Sequence, residues 1–360
     1  MIEADRVARL VALASAAPSG DNCQPWSFRW DGAELAVRHD EARAAHVINH
    51  NRHGSYLTLG CVIESIRVAA GVVGLAAEAR VTLDEPSWAR VRLTEGGSDV
   101  DRLGDALASR ATDRRLYLGG SLRDAVFDAV RSEAAQIPAC GLHLTDAPPR
   151  ELLDYVTEVD AFAWRQGDVY RDIMRWMRFT RAEVEATRDG IAWNGLGIDL
   201  PELPGLRLTS SPTAQRLIAL AGVHRASRMW AARQLSSAAA LYCITVRGRE
   251  REPLVAAGRL GMRAWLRLEQ AGYGVQPFTL ASLLAYNLEV VGLPASTRPE
   301  FVALFRRGLG VLKRGFGLAE DELPIWIFRT GKSSPLPAHL RALRLPVERV
   351  LSSEGAGAKG

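Results

Sequence analysis

The run Ala17-Pro18-Ser19-Gly20-Asp21-Asn22-Cys23-Gln24-Pro25-Trp26 separates a helical pattern from an extended one. Before it, apolar residues recur at helical spacing over residues 3–16, which predicts an amphipathic helix. After it, Trp26–Trp30 and Ala33–His39 flank Asp31-Gly32, a strong hairpin signal. Small residues in the run let the backbone approach a ligand closely, and its polar side chains offer hydrogen bonds. The run is therefore either a ligand-binding loop or an ordinary connection between a helix and a strand.

Further along the chain, helical and extended patterns alternate in both halves. Residues 55–76 are apolar nearly all round, which is typical of a buried helix. The remaining patterns predict helices at 100–111, 121–135 (with Ser121 as its N-cap) and 252–271, and strands at Ala79–Leu83, Ala89–Leu93, Gly141–Thr145, Leu241–Val246 and Ile325–Phe328. Each half thus combines a long helix with extended segments. No exact repeat is present, so a duplication is inferred from the order of elements alone.

Charge and composition narrow the classes of function. The 360 residues include 45 Lys and Arg against 41 Asp and Glu, a net charge of +4. The arginines are scattered among carboxylates and form no basic stripe, so no nucleic-acid partner is expected. Four cysteines without CxxC spacing fit a reducing compartment. Since neither a signal-peptide pattern nor about 18 uninterrupted apolar residues occurs, we expect a cytoplasmic protein without a membrane association.

A second polar run, Arg110-Ala111-Thr112-Asp113-Arg114-Arg115, follows a helical pattern and precedes the extended residues 116–118. Guanidinium groups bind phosphate through paired hydrogen bonds, and this run places them on both sides of a hydroxyl. A solvated charged face would explain such a short run just as well. Taken alone, the run is only a candidate for anion binding.

Two shorter stretches complete the candidates. Residues 271–279 (Ala-Gly-Tyr-Gly-Val-Gln-Pro-Phe-Thr) leave the long helix through glycine and become extended, so their backbone N–H groups can point sideways at a ligand. A helix C-cap that leads into a strand has the same appearance. Near the end of the chain, Arg341 and Arg344 precede Pro346. These arginines are either anion ligands or simply exposed.

The run at 17–26 resembles the Ala-Pro-Ser-x-x-Asn-x-Gln-Pro-Trp motif of the nitroreductase superfamily at seven of ten positions. It departs from the motif at Gly20, Asp21 and Cys23, and the carboxylate of Asp21 argues against a phosphate contact there. The run at 110–115 resembles the Arg-x-Ser/Thr-x-Arg element of the same superfamily. Ordinary members carry that element before the Pro-Ser motif, whereas here it follows by about 90 residues.

The reversed order implies two nitroreductase-like halves fused in one chain, similar to the actinobacterial Acg-type nitroreductases, in which a single chain mimics the usual homodimer. The implied fold is α+β, with a central antiparallel or mixed sheet flanked by helices. The implied division is residues 1–99 for the first half, 100–155 and 216–350 for the second, 156–215 for a lid or insertion, and 351–360 for a flexible tail. We expect a monomeric pseudo-dimer or a homodimer.

The resemblance also implies a cofactor, FMN, and a reaction in which electrons pass from NAD(P)H to a small nitroaromatic or quinone, or a small metabolite is oxidised. Because flavin carries the chemistry, no side chain need serve as an acid or base. Cofactor contacts are implied for Pro18, Ser19, Asn22, Gln24, Arg110, Thr112, Arg114, Gln276, Pro277, Phe278 and Arg344. Arg110 and Arg344 are expected at the phosphate. The alternative is a non-catalytic homologue that binds or sequesters flavin.

Other kinds of site were weighed against this one. His46, His50 and His53, with Asp40, have a spacing that zinc or iron ligands can adopt, although two asparagines between them disfavour a helix. The spacings of a phosphate loop, a Rossmann fingerprint and a hydrolase nucleophile elbow do not occur. The Trp-rich segment 156–215 is either a lid over the flavin or a set of packing helices.

Overall fold

The computed structural model describes residues 2–99, 102–197 and 222–353, together with Ser211, Thr213 and Leu217. In these parts the helices are α1 Ala4–Ala14, α2 Glu41–Ala44, α3 His53–Val72, α4 Gly104–Ser109, α5 Asp124–Ala135, α6 Arg150–Arg165, α7 Gly167–Trp176, α8 Arg181–Thr187, α9 Val223–Ser236, α10 Glu252–Gln270, α11 Thr279–Val290, α12 Pro299–Phe316 and α13 Val347–Val350. The strands are β1 Trp26–Trp30, β2 Glu34–His39, β3 Leu75–Val81, β4 Ser87–Glu95, β5 Cys140–Thr145, β6 Met177–Arg178, β7 Ile191–Ala192, β8 Ala240–Arg247, β9 Tyr273–Pro277, β10 Glu322–Lys332 and β11 Leu351–Ser353.

Two larger sheets carry the fold. The first has the order β11-β1-β2-β4-β3 and the second the order β5-β8-β10-β9. All neighbouring strands are antiparallel except β11, which runs parallel to β1. Strand β1 buries alternate side chains, as a strand with one covered face should, whereas β8 buries seven of its eight residues. The β8 strand is therefore covered on both faces.

The helices α3 and α10 cross between the sheets at two glycines. A Cβ placed on Gly60 would lie 2.8 Å from the Cα of Gly258 and 2.7 Å from the backbone N of Arg259, and it would overlap the carbonyl oxygen of Val255. A Cβ on Gly258 would likewise overlap the carbonyl oxygen of Leu57. Only glycine at both positions lets the two backbones come this close.

Buried ion pairs reinforce the same crossing. Glu64 on α3 accepts hydrogen bonds from Arg259 Nε (3.0 Å) and Arg263 Nη1 (2.9 Å), both on α10. Glu133 on α5 bonds Arg263 and Arg267 in turn. Because both carboxylates are almost completely buried, removing either one would leave guanidinium charge in a poorly solvated place.

Several predicted elements need correction. The helix predicted to 76 ends at Val72, since β3 begins at Leu75. Ser121 is not an N-cap, because α5 begins only at Asp124. The predicted helix 100–111 is reduced to α4 within the described residues. The expected tail is wrong for Leu351–Ser353, which pair with β1; residues 354–360 lie outside the described part of the chain.

The apolar helix α3 has the length and composition of a membrane span, with a mean hydropathy of 1.3. However, 78% of that window is buried inside the protein. Its apolar surface is thus accounted for by α10, α1 and the first sheet, as in a core helix.

Replacing Gly60 by alanine should lower the free energy of unfolding by about 1–3 kcal/mol, the usual cost of inserting atoms into a packed core. Gly310→Ala on α12 is the matched control, because its Cβ would meet only the flexible end of Arg314, 3.3 Å away. Urea unfolding of both variants measures the difference. A Gly60→Ala protein as stable as the wild type would show that the close crossing is not required.

Candidate functional site

A cavity of about 410 Å³ opens between the loop after α1, the beginning of α3, the end of β9 and the pair α6–α7. Its volume falls in the range of sites for small molecules and cofactors, and its lining is mostly apolar with a few polar groups. The walls come from segments more than 250 positions apart in the sequence, from Pro18 to Trp326.

Seven of the eleven predicted contact residues line this cavity: Pro18, Ser19, Thr112, Arg114, Gln276, Pro277 and Phe278. Backbone contacts bring Thr112 and Arg114 next to the residues of β9. Thr112 forms an isolated parallel bridge with Val275, and the Asp113 N–H donates to the Val275 carbonyl oxygen at 3.0 Å. The segment after α4 therefore extends along the open edge of β9, so that Thr112 and Arg114 line the same cavity as Pro18 and Ser19.

Asn22 and Gln24 do not line the cavity, and their amides hold other segments instead. The amide of Gln24, which is fully buried, accepts from the Leu345 N–H at 2.8 Å and donates to the Arg188 carbonyl oxygen at 3.0 Å. Asn22 donates to the carbonyl oxygens of Gly190 and Leu343, each at 3.1 Å. Asn22 and Gln24 thus hold the loop in place, and their side chains do not face a ligand in the cavity.

Arg110 and Arg344 also lie behind the cavity wall, at the turn that ends α1. Arg110 Nε donates to the Ala16 carbonyl oxygen (2.9 Å) and Arg344 Nε to that of Ser15 (2.8 Å). The guanidinium of Arg110 also stacks on the ring of Trp265, with its central carbon 4.6 Å from the ring centroid. Two cations thus share one buried turn directly before Pro18.

Burial makes this pair of charges unfavourable without a counter-ion. Desolvation lowers the pKa of Arg110 to about 10, and desolvation together with the charge of Arg110 lowers the pKa of Arg344 to about 9. Within the described residues neither arginine has a carboxylate within 4 Å, and the buried Arg110 Nη1 lacks a hydrogen-bond partner. The pair is suited to an anion that neutralises it.

The polar groups on the cavity wall are held in place by their neighbours. Arg114 Nη1 donates to the Gly195 carbonyl oxygen at 3.2 Å, and burial lowers its pKa. Gln276 Oε1 accepts from Arg329 Nε at 2.7 Å. Arg329 is itself fully buried against the ring of Tyr117. The amide of Gln276 is therefore held in one orientation before any ligand binds.

Two groups at this wall, His46 and Asp21, form a pair that the sequence did not predict. His46 lies between two carboxylates, with Nε2 3.8 Å from Asp21 Oδ2 and Nδ1 3.5 Å from Asp172 Oδ2. Burial raises the pKa of the Asp21 carboxyl. The departure of Asp21 from the family motif was the available signal, but its partner His46 comes from a distant turn.

The histidine spacing does not build a metal centre in the described part of the chain. There, His, Cys, Asp and Glu side chains form no group of three or more that could hold an ion. His53 packs instead on Tyr286, and its Nδ1 lies 2.7 Å from Asn287 Oδ1.

The segment 156–215 contributes a wall to the cavity, through α6, α7 and Ile191. Its predicted start is wrong, because α6 begins at Arg150 and position 156 lies within that helix. Trp164 and Trp176 line the cavity, whereas Trp193 lies in the short helical turn after β7. Most of the segment beyond residue 197 lies outside the described residues.

Comparisons with family models and with curated proteins find no match. Solved structures do match. The chain is similar to a candidate nitroreductase from Anabaena variabilis, with a TM-score of 0.50 and 12% identity, over 92% of this chain and 88% of that one. This likeness shows that the chain has the nitroreductase fold, and the prediction of that α+β fold is confirmed.

Lower TM-scores relate the chain to two further structures. One is a nitroreductase with bound FMN from Desulfitobacterium hafniense, with a TM-score of 0.34 and 12% identity over 66% of this chain and 94% of that one. The other is the FMN-dependent nitroreductase NfnB from Mycobacterium smegmatis in complex with NADPH, with a TM-score of 0.36 and 12% identity over 70% and 97% of the two chains.

Gln24→Ala should destabilise the protein by about 1–3 kcal/mol, because it leaves the buried Leu345 N–H and Arg188 carbonyl without partners. The control is Gln136→Ala at the exposed end of α5. Urea unfolding gives the difference in stability. Equal stability of the two variants would mean that the loop is not held by the Gln24 amide.

Proposed function

We propose that this protein is an FMN-dependent oxidoreductase that accepts electrons from NAD(P)H and passes them to a small organic acceptor. The observation that carries the proposal is the pair of the buried Arg110 and the half-buried Arg344, both bonded to the turn just before Pro18 at the cavity. The nitroreductase fold and the motif resemblance point to the same cofactor. When bound, FMN supplies the hydride and electron transfer, which no side chain here can provide.

The residues present fit the two chemically different ends of FMN. Arg110 and Arg344 would hold the phosphate, since Arg110 Nη1 is a buried donor without a hydrogen bond. Among the described residues neither guanidinium forms a salt bridge, and the charge of Glu269 acts on Arg110 only from a longer distance. Ser19 and Thr112 offer hydroxyls on the cavity wall. Arg114 brings a positive charge to the same wall, suited to a ring system that becomes anionic on reduction.

Part of the cavity wall is aromatic. Trp164, Tyr170 and Trp176 come from α6 and α7, and Phe278 from the end of β9. Aromatic walls of this kind suit a flat acceptor and keep water from the reacting atoms. A nitroaromatic or a quinone has the required shape and accepts electrons.

We further propose that one chain acts as its own partner, so that a monomer forms a complete site. Support comes from the meeting of the two motifs on one cavity, and from the two sheets that each contribute one long helix to the α3–α10 crossing. Analytical ultracentrifugation at the flavin wavelength tests this: we expect FMN in the monomer fraction at one per chain, and flavin found only in dimers would refute it.

Arg110→Ala should weaken FMN binding by about 1.5–3 kcal/mol, the range for a hydrogen bond to a charged group. Arg67→Ala is the control, since Arg67 is an exposed arginine of α3 and its loss changes the net charge equally. Equilibrium dialysis measures the affinity, and circular dichroism verifies the fold. Unchanged FMN retention in both Arg110→Ala and Arg344→Ala would remove the phosphate assignment.

Anaerobic addition of NADH or NADPH separates the enzyme from a flavin store. Bleaching of the flavin absorbance, followed by recovery when a nitroaromatic or quinone is added, is the expected result. Bound flavin that is never bleached would favour the non-catalytic alternative.

A further inference from the structure

The inner face of α6 carries one carboxylate in an otherwise apolar stripe. Val156, Val159, Asp160, Ala163 and Trp164 line the cavity, at spacings of three and four residues that place them on one side of the helix. Four of the five are ordinary wall residues for a small-molecule pocket. Asp160, at the middle of the stripe, is the exception.

The environment of Asp160 leaves its charge unbalanced. Its Oδ2 accepts a hydrogen bond from the Ser227 hydroxyl of α9, and no other hydrogen bond or ion pair to it is found among the described residues. Burial raises the pKa of this carboxyl to about 6. An isolated carboxylate in such surroundings is costly unless something neutralises it.

The outer acids of the same helix are treated differently. Asp154 lies 3.6 Å from Arg150 Nε and 3.7 Å from Arg228 Nη2, and Glu158 is paired with Arg307. Cations are therefore supplied to the solvent-facing carboxylates of α6, where they matter least. Among the described residues, no cation is paired with the cavity-facing carboxylate of Asp160.

The wall beside Asp160 is aromatic. Trp164, one turn further along α6, has its ring centroid 5.8 Å from that of Tyr170, and both residues line the cavity. A carboxylate next to an indole ring is a combination that recognises ammonium groups, through the ion pair and the electron-rich ring face together.

We propose that Asp160 is the specificity-determining residue of this cavity and that it selects substrates bearing a protonated amine, with Trp164 receiving the same group on its ring face. The inference rests on the proposed function in that it takes this cavity as the substrate pocket of the oxidoreductase. The ammonium group supplies a counter-charge, so binding of the amine removes the cost of leaving this half-buried carboxylate without one. A neutral ligand of the same shape cannot do so.

Binding of benzylamine and benzyl alcohol to the protein as purified tests this without turnover. The two probes have similar size and ring and differ in charge. Titration calorimetry should show benzylamine binding on the order of 10-fold more tightly, a difference of about 1.4 kcal/mol. Equal affinity of the wild-type protein for the two probes would overturn the proposal, and this comparison needs no variant.

Asp160→Asn keeps the size of the side chain and should abolish the preference for the amine. Asp154→Asn, on the outer face of the same helix, is the matched control and should keep it. An amine-to-alcohol ratio in Asp160→Asn equal to that of the wild type would refute the role of Asp160.

Steady-state turnover of para-nitrobenzylamine and para-nitrobenzyl alcohol by the flavin-loaded protein gives the second arm. We expect a lower KM for the amine with similar kcat, and loss of that KM advantage in Asp160→Asn. Failure of the proposed oxidoreductase function would appear as a flavin that NAD(P)H does not bleach, while the calorimetric preference for benzylamine would persist. Bleaching without any preference for the amine would refute this inference alone.

Discussion

The contact on which the rest of the structure depends is the crossing of α3 and α10 at Gly60 and Gly258. Each helix belongs to a different sheet, and the absence of two Cβ atoms sets how closely the sheets approach. The beginning of α3 and the strand β9 that follows α10 both form cavity walls. Because packed helices cannot slide without losing contacts, this distance also fixes the width of the cavity. The pairs of Glu64 with Arg259 and Arg263 hold α3 against α10, and the pairs of Glu133 hold α5 against the same helix.

Arginine side chains in the interior have different partners in two regions of the structure. At the helix crossing, Arg259 and Arg263 meet carboxylates and the charges cancel. At the end of α1, Arg110 and Arg344 donate to backbone carbonyl oxygens and to Asn22 Oδ1, and they form no salt bridge among the described residues. Carbonyl dipoles satisfy donors but do not neutralise charge. The positive charge at the end of α1 is therefore not neutralised, whereas the charge at the helix crossing is. This difference is the physical reason for placing an anion at the end of α1.

Much of the fold was predictable from local patterns. The hairpin around Asp31-Gly32, the buried helix α3 and the long helix α10 follow from turn chemistry and periodicity. The helices α11 and α12 went unassigned, and Ser121 attracted an N-cap assignment although the chain continues without helix to Arg123. A capping residue is a local preference, and tertiary packing decides whether a helix uses it. The tail was misjudged because pairing of β11 with β1 joins residues over 300 positions apart.

The residues of the site were likewise predictable only in part. Residues adjacent in a motif, such as Pro18 with Ser19 and Thr112 with Arg114, were predicted together and lie together. Asp160 gave no signal in the sequence, and His46 was a candidate only for a metal site, because the surroundings of both consist of side chains from other segments. The sequence around Asp160 is that of an amphipathic helix, and acidic residues in such a helix are expected to face solvent. Only the direction of the helix face distinguishes it from Asp154.

The attachment of Leu343 and Leu345 to Asn22 and Gln24 has a consequence for the order of folding. These hydrogen bonds close loops of 321 residues, so the entropy of bringing their ends together is among the largest in the molecule. Contacts of such sequence separation form late, after local helices and hairpins have assembled. Arg110 and Arg344 are therefore brought together near the end of folding. An anion bound by them would stabilise the folded chain.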